Sequence, residues 1–251
     1  MKNNLLLLGG SGTLGKAIIN SKLFKNLNYP SSKRLNILLK NKVKNFIVKN
    51  KIDIVIHCAA LARVKECEKN KKKALKINVT GTKNIVEAIL NYSKKTGKKI
   101  KLIFISTDGV YPSTRGNYKE NDILKPYNYY GWTKLRGEKL VKKLDEYIII
   151  RTRFFNKKKI KFKYSATNIY TSALEVGIFV KYLDKVLKKK FRGILNIGGK
   201  KISDYDRYYK NNKKIVPCDK SKVFKSLNFK IATDASLNLK KLNRLIWIIL
   251  I

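Results

Sequence analysis

A chain of 251 residues with 44% hydrophobic and 29% charged side chains can bury a substantial core, which excludes a globally disordered protein. The formal charge of +42 would suit a polyanion binder, but it comes from 49 Lys against 9 Arg spread from end to end, whereas bidentate phosphate recognition favours Arg; with Asn and Ile also abundant, the excess reads as A/T-rich coding, and no specific nucleic-acid partner is expected. Cys58, Cys67 and Cys218 show no CxxC spacing, which argues against a disulfide framework or a metal site, and no apolar run nears the roughly 18 residues of a membrane span, so the chain reads as cytoplasmic.

The first predicted element is Leu5–Leu8, four leucines running straight into Gly9, a buried strand rather than a signal peptide. Gly9, Gly12 and Gly15 follow at once in GGSGTLG. Glycines here allow a tight turn, close approach of backbone to a pyrophosphate, and close packing of helix on strand. A helix starting near Thr13 then offers free N–H groups and a positive dipole end to phosphates. Dinucleotide binding is the functional reading, and a purely structural turn the alternative. NAD-dependent enzymes usually carry an acidic residue about 20 positions onward for the ribose diol. Between Lys16 and Ile52 there is no Asp or Glu; Ser31, Ser32, Lys33 and Arg34 stand there instead, suited to a 2′-phosphate. That points to NADP(H), with NAD(H) as the alternative.

The second predicted strand is Ile52–Ile56, followed by a helical segment from about Ala74 to Lys94. The third, Lys101–Ile105, ends in Ser106-Thr107-Asp108 and opens a long loop from Asp108 to Lys125. A helix from Tyr127 to Leu144 and a strand at Tyr147–Ile150 complete the regular part. Beyond Arg153 the pattern weakens: a helix at Ser172–Lys189 and a strand at Gly193–Ile197 are readable, Lys210–Lys225 is not, and the apolar end, Leu245–Ile251, reads as a packed helix or strand. Strand–helix alternation with continuously apolar strands predicts an α/β fold with a doubly wound parallel sheet, whose ligands bind at the carboxyl ends of the strands.

Tyr130 and Lys134 form a YxxxK pair on one helix face. A nearby ammonium is expected to lower the phenol's pKa, so that it can exchange a proton with a sugar oxygen while hydride moves at the attached carbon. Alone the pattern means little. With 14 Tyr and about one Lys in five residues, chance predicts about three matches, and three exist: Tyr29/Lys33, Tyr130/Lys134 and Tyr209/Lys213. Only the middle pair opens a helix just downstream of a strand ending in hydroxyls. Thr107 at that strand end could hold the substrate carbonyl; an ordinary strand-end residue is the alternative.

On GGSGTLG (9–15), DIVIHCAA (53–60), INVTGTKNIVEA (77–88), FISTDGVYP (104–112), YKENDILKPYNYYGWTK (118–134) and IIIRTRFF (148–155), the chain resembles the extended short-chain dehydrogenase/reductase superfamily, and within it the dTDP-4-dehydrorhamnose reductase family. The resemblance implies an NAD(P)-binding Rossmann domain at 1–152 and a small, shortened substrate-binding lobe at 153–251, interleaved with the sheet. It implies an oxidoreductase of nucleotide-sugar and surface polysaccharide biosynthesis that reduces a nucleotide-linked 4-keto-6-deoxy sugar with NADP(H), as a homodimer. By position, Tyr130 would be the proton donor, Lys134 its activator and ribose ligand, and Thr107 the carbonyl-binding hydroxyl. Gly12, Thr13 and Leu14 would meet the pyrophosphate; Asn36 and Ile37 would lie near the adenine; Ala59, Ala60, Leu61 and Ile105 would line the cofactor. Asn78 would support the site from its helix, and Asp108 and Phe154 would touch substrate. Sugar-nucleotide dehydratases are similar but place Glu where Gly109 stands. GDP-fucose synthases use a Cys and a His, whereas the only histidine here, His57, reads as structural. A non-catalytic NADP-binding regulatory subunit, as in methionine adenosyltransferase, and an epimerase of the same superfamily are the rival readings.

Overall fold

The computed structural model describes residues 3–160, 162–224 and 232–247. Six parallel strands form the central sheet: β1 Leu5–Leu8, β2 Leu27–Asn28, β3 Ile54–His57, β4 Lys101–Ile105, β5 Tyr147–Thr152 and β6 Gly193–Ile197, in the spatial order β6-β5-β4-β3-β1-β2. The order reverses beside β1, so the carboxyl end of β1 faces the crevice where such sheets bind ligands.

Side-chain alternation along the strands explains why the sheet is covered on both faces. Leu5 and Leu7 of β1, Ile103 and Ile105 of β4, and Ile148 and Ile150 of β5 pack against helices α1 (Thr13–Ser21) and α5 (Val176–Leu187) through Leu14, Ile18, Phe179 and Leu183. Their neighbours Leu6, Leu8, Leu102, Phe104 and Ile149 pack against α2 (Lys40–Lys49), α3 (Gly81–Thr96) and α4 (Tyr129–Val141) through Val43, Ile47, Ile85, Ile89 and Val141. The predicted doubly wound parallel sheet is what the chain forms.

Several boundaries differ from expectation. The helix expected at Ser172–Lys189 begins at Val176, because Leu174–Glu175 pair as a short strand with Phe154–Phe155 and the Glu175 carboxylate caps α5 by accepting from the Gly177 and Ile178 amides. The segment from Ala74 to Lys94 is three pieces: a helix at Lys71–Leu75, a π-turn at Lys76–Thr80, and α3. α4 begins at Tyr129 rather than Tyr127, since the Asn128 side chain accepts from the Gly131 amide and stops the helix there. Ile52 closes the turn after α2 instead of opening β3, its amide donating to Ile47. Within Lys210–Lys225, where the sequence shows no element, Val216–Cys218 pair with Tyr164–Ala166 and Lys220–Phe224 form a helical turn; Lys225 lies outside the described residues. The expected C-terminal element corresponds to a helix at Lys240–Trp247, and 248–251 lie outside the described residues. Among the described residues no helix is long and apolar enough to cross a membrane.

The loop leaving β4 is pinned rather than loose. Its Tyr111 and Tyr118 rings stack 4.8 Å apart. Behind them Arg151 of β5, wholly buried, forms a 2.7 Å ion pair with Glu138 of α4 and donates to the Tyr111 hydroxyl and the Glu120 carbonyl. Tyr111 donates in turn to Asn196 of β6, whose Nδ2 donates to the Tyr118 carbonyl. This polar network holds the loop leaving β4 to β5, β6 and α4.

Candidate active site

The glycine turn is built for close approach. Gly9 has φ +90°, and a Cβ there would stand 2.6 Å from the Ala59 amide nitrogen; one on Gly15 would stand 2.2 Å from the Gly9 carbonyl oxygen. Neither position tolerates a side chain. The Gly12 amide donates to the Gly9 carbonyl at 3.1 Å, closing the turn into α1. α1 begins with no capping side chain and no acidic residue in its first turn, so its leading N–H groups and dipole are left for an anion. These residues fit a dinucleotide pyrophosphate.

The same turn opens into a cavity of about 750 Å³ at the carboxyl ends of the strands. Gly9, Gly12, Thr13, Leu14 and Gly15 line one end. Ile105, Thr107, Asp108, Tyr130, Lys134 and Phe154 line the other, and Ala60 lies on its wall. Thr107 accepts from the Gly109 amide at 3.1 Å, and its hydroxyl donates to Asp108 at 3.2 Å.

The remaining expected residues, Ser32, Lys33, Arg34, Asn36, Ile37, Ala59, Leu61 and Asn78, do not line this cavity. Asn78, on the π-turn, accepts from the Leu61 amide at 2.7 Å and donates to the Leu61 carbonyl at 3.1 Å and to Thr133 at 2.9 Å. It thereby ties the segment after β3, which carries Ala59 and Leu61, to the helix bearing Tyr130. π-turns of this kind recur at functional sites. Asn36 turns its side-chain oxygen to the Leu38 amide, and Ile37 is buried with its carbonyl accepting from Asn84. Ser32, Lys33 and Arg34 are exposed just past β2. His57 is structural: the Thr82 hydroxyl donates to the Asn78 carbonyl, so the His57 ring donates to Thr82 from Nε2 at 3.0 Å. Burial, with Lys134 adding to it, holds this imidazole neutral, down to about 3.

The electrostatics depart from the sequence expectation at one point. The Lys134 ammonium, almost fully buried, rests 3.9 Å from the centre of the Phe104 ring. Burial brings its pKa down to about 8. The Tyr130 phenol is pushed up, not down, first by burial and then by the neighbouring Cys67 and Asp108 charges. In this arrangement desolvation outweighs any help from the lysine, and the phenol keeps its proton through neutral pH.

Sequence reasoning missed three residues lining the same cavity. Arg153, just after β5, chelates Asp108 at 2.7 and 3.2 Å; Tyr127 accepts from it at 3.3 Å; Asp204 completes the cluster. Two arginines closing an otherwise apolar strand, in Ile-Arg-Thr-Arg, were the available signal.

Residues 1–171 match the family model of the RmlD substrate binding domain. The chain belongs to that family. The beta subunit of methionine adenosyltransferase 2 from Bos taurus is 32% identical over 148 residues, covering 55% of this chain and 42% of that protein. A dTDP-4-dehydrorhamnose reductase from Aggregatibacter actinomycetemcomitans is 31% identical over 154 residues, covering 59% of this chain and 50% of that one. The chain thus spans about half the length, or less, of the curated relatives it matches. Among solved structures, a hypothetical dTDP-4-dehydrorhamnose reductase from Sulfolobus tokodaii is 28% identical with a TM-score of 0.81, covering 96% of this chain and 94% of that one. The fold is shared as well with a dTDP-4-dehydrorhamnose reductase from Bacillus anthracis in complex with NADP, 23% identical, TM-score 0.85, covering 97% and 93%.

Proposed function

We propose that the chain is an NADP(H)-dependent reductase of a nucleotide-linked 4-keto-6-deoxy sugar. One observation carries this reading: the glycine turn and the Thr107–Tyr130–Lys134 set line a single cavity. Family membership and the reductases among its relatives support it. NADPH would supply hydride to the keto carbon. Tyr130, protonated at neutral pH, gives its proton to the oxygen that becomes the hydroxyl. Thr107 presents its hydroxyl to the same oxygen by giving up its bond to Asp108. Lys134 would hold the cofactor ribose and carry a buried positive charge on the cavity wall. Phe154 forms part of the sugar's wall. The three cysteines are free thiols, which supports a reducing compartment such as the cytoplasm.

The test is NADPH oxidation against a panel of nucleotide-linked 4-keto sugars. Turnover on at least one is the expected result. The match to a subunit of methionine adenosyltransferase 2 favours a second reading, a regulatory subunit that binds NADP without turning it over. Tight NADPH binding with no turnover on any sugar decides for that one.

Two further expectations belong to this site. Lys134 is protonated below about pH 8 and neutral above it. The cationic form that matters is thus lost on the alkaline side, and kcat/KM should fall as pH rises through that value. A pH–rate profile flat across the interval removes Lys134 from the mechanism. Lys33 and Arg34, exposed beyond β2 where no acidic residue stands, are proposed to receive the 2′-phosphate. Replacing both by Ala should weaken NADPH about ten-fold or more, the scale of lost charge-assisted hydrogen bonds, and leave NADH nearly untouched. Calorimetric titration with the two cofactors checks this, and equal losses for both would place the 2′-phosphate elsewhere.

A further inference from the structure

The reductase mechanism leaves Arg153, a charged group in the cavity, without a task. Arg153 sits immediately after β5 and lines the cavity with 31% of its side chain exposed, whereas the carboxylate it chelates, Asp108, is 2% exposed. Nε and Nη2 are occupied by Asp108 and Tyr127. Nη1, with two N–H donors, finds no acceptor among the described residues. An arginine present only to neutralise Asp108 would not need to face the cavity at all. Beside it the Thr152 hydroxyl, 3% exposed and lining the same cavity, also has no partner among the described residues. Buried polar groups left this way are met by a ligand or by water.

The charge balance says what kind of group they meet. Asp108 neutralises Arg153, and Asp204 stands on the same wall, its carboxyl pushed up by burial despite Arg153 and Arg207. The cluster is close to neutral and rich in directed donors, which suits a hydroxyl-bearing ring better than a second anion. Asp108 itself is committed: one oxygen accepts from Arg153 Nε, the other from Arg153 Nη2 and Thr107.

We propose that Arg153 is a specificity-determining residue that donates from Nη1 to a sugar hydroxyl beside the reacting carbon, with Asp108 holding the guanidinium in position. This rests on the reductase reading above. Asp108 then reads the substrate through Arg153. The hydroxyl next to a 4-keto group is the one on C3, so the device selects 3-hydroxy over 3-deoxy sugars.

The test measures kcat and KM for the parent, Arg153→Ala and Arg153→Lys on a nucleotide-linked 4-keto-6-deoxy sugar and on its 3-deoxy counterpart, with NADPH affinity measured in parallel. Arg153→Lys keeps a charge opposite Asp108, so it decides the matter if Arg153→Ala fails to fold. On the 3-hydroxy sugar both variants should lose about 10- to 100-fold in kcat/KM, mostly through KM, the scale of a hydrogen bond from a charged donor. On the 3-deoxy sugar parent and variants should agree, and NADPH affinity should not change. Equal penalties on the two sugars, or none on either, overturn the assignment while leaving the reductase reading in place. A parent that turns over no 4-keto sugar overturns both.

Discussion

Tyr130→Phe should lower turnover by at least about 10²-fold while leaving NADPH affinity within about two-fold, since it removes a proton donor and keeps the ring. Burial and its acidic neighbours keep this phenol protonated, which is the form a reduction consumes. The ring itself is only half-buried on the cavity wall, so the loss of one oxygen does not disturb packing. Steady-state rates on the best 4-keto sugar, with cofactor affinity measured separately, check both halves. Equal rates in variant and parent would mean that the proton comes from elsewhere, and the site would need another donor. A loss of cofactor binding as large as the loss of rate would mean instead that the phenol serves the cofactor.

The second large effect lies behind the site. Arg151→Met should cost roughly 3–5 kcal/mol of stability, because Glu138 would be left as a buried, uncompensated carboxylate. Both partners are essentially inaccessible to solvent, and Glu138 is also the acceptor for the Ser106 hydroxyl at 2.5 Å. The Tyr111 hydroxyl and the Glu120 carbonyl lose their donor in the same change. For a chain of this size the midpoint of thermal unfolding should drop on the order of 10 °C. Adding Glu138→Gln to the same chain removes the stranded charge and should recover part of the loss. Denaturant unfolding of the two singles and the double measures the coupling. A single variant within about 1 kcal/mol of the parent would show that the network is not what secures the loop leaving β4.

Much of the sheet and of the cavity's lining was legible in the sequence, for reasons specific to each part. Four leucines before a glycine turn leave few alternatives to a buried strand. Tyr130 could be told from two chance look-alikes only because Thr107 and a strand precede it at the right distance. What the sequence did not show depends on long-range contacts. Ser172–Glu175 have helical company downstream, yet the partner that makes Leu174–Glu175 a strand is twenty residues upstream. The ammonium of Lys134 is one turn from Tyr130 along the helix, but a ring from β4 takes it, and only the packed structure shows desolvation raising the phenol instead. Arg153 was visible as a charge at the end of an apolar strand; its role needed the position of Asp108, 45 residues away.

The sheet's order has a consequence for how the protein comes into being. β6 is the last strand of the central sheet to be synthesised and occupies the rim next to β5, pairing Gly193 with Ile148 through Ile197 with Thr152. On the ribosome, therefore, the first five strands can assemble while β5 still presents a row of unsatisfied amides and carbonyls, of the sort that recruits foreign strands. The cover arrives only with the segment around residue 195, and Asn196 brings with it the bond that fastens Tyr111. Closing that rim and fastening the loop that leaves β4 are a single event in the life of the chain.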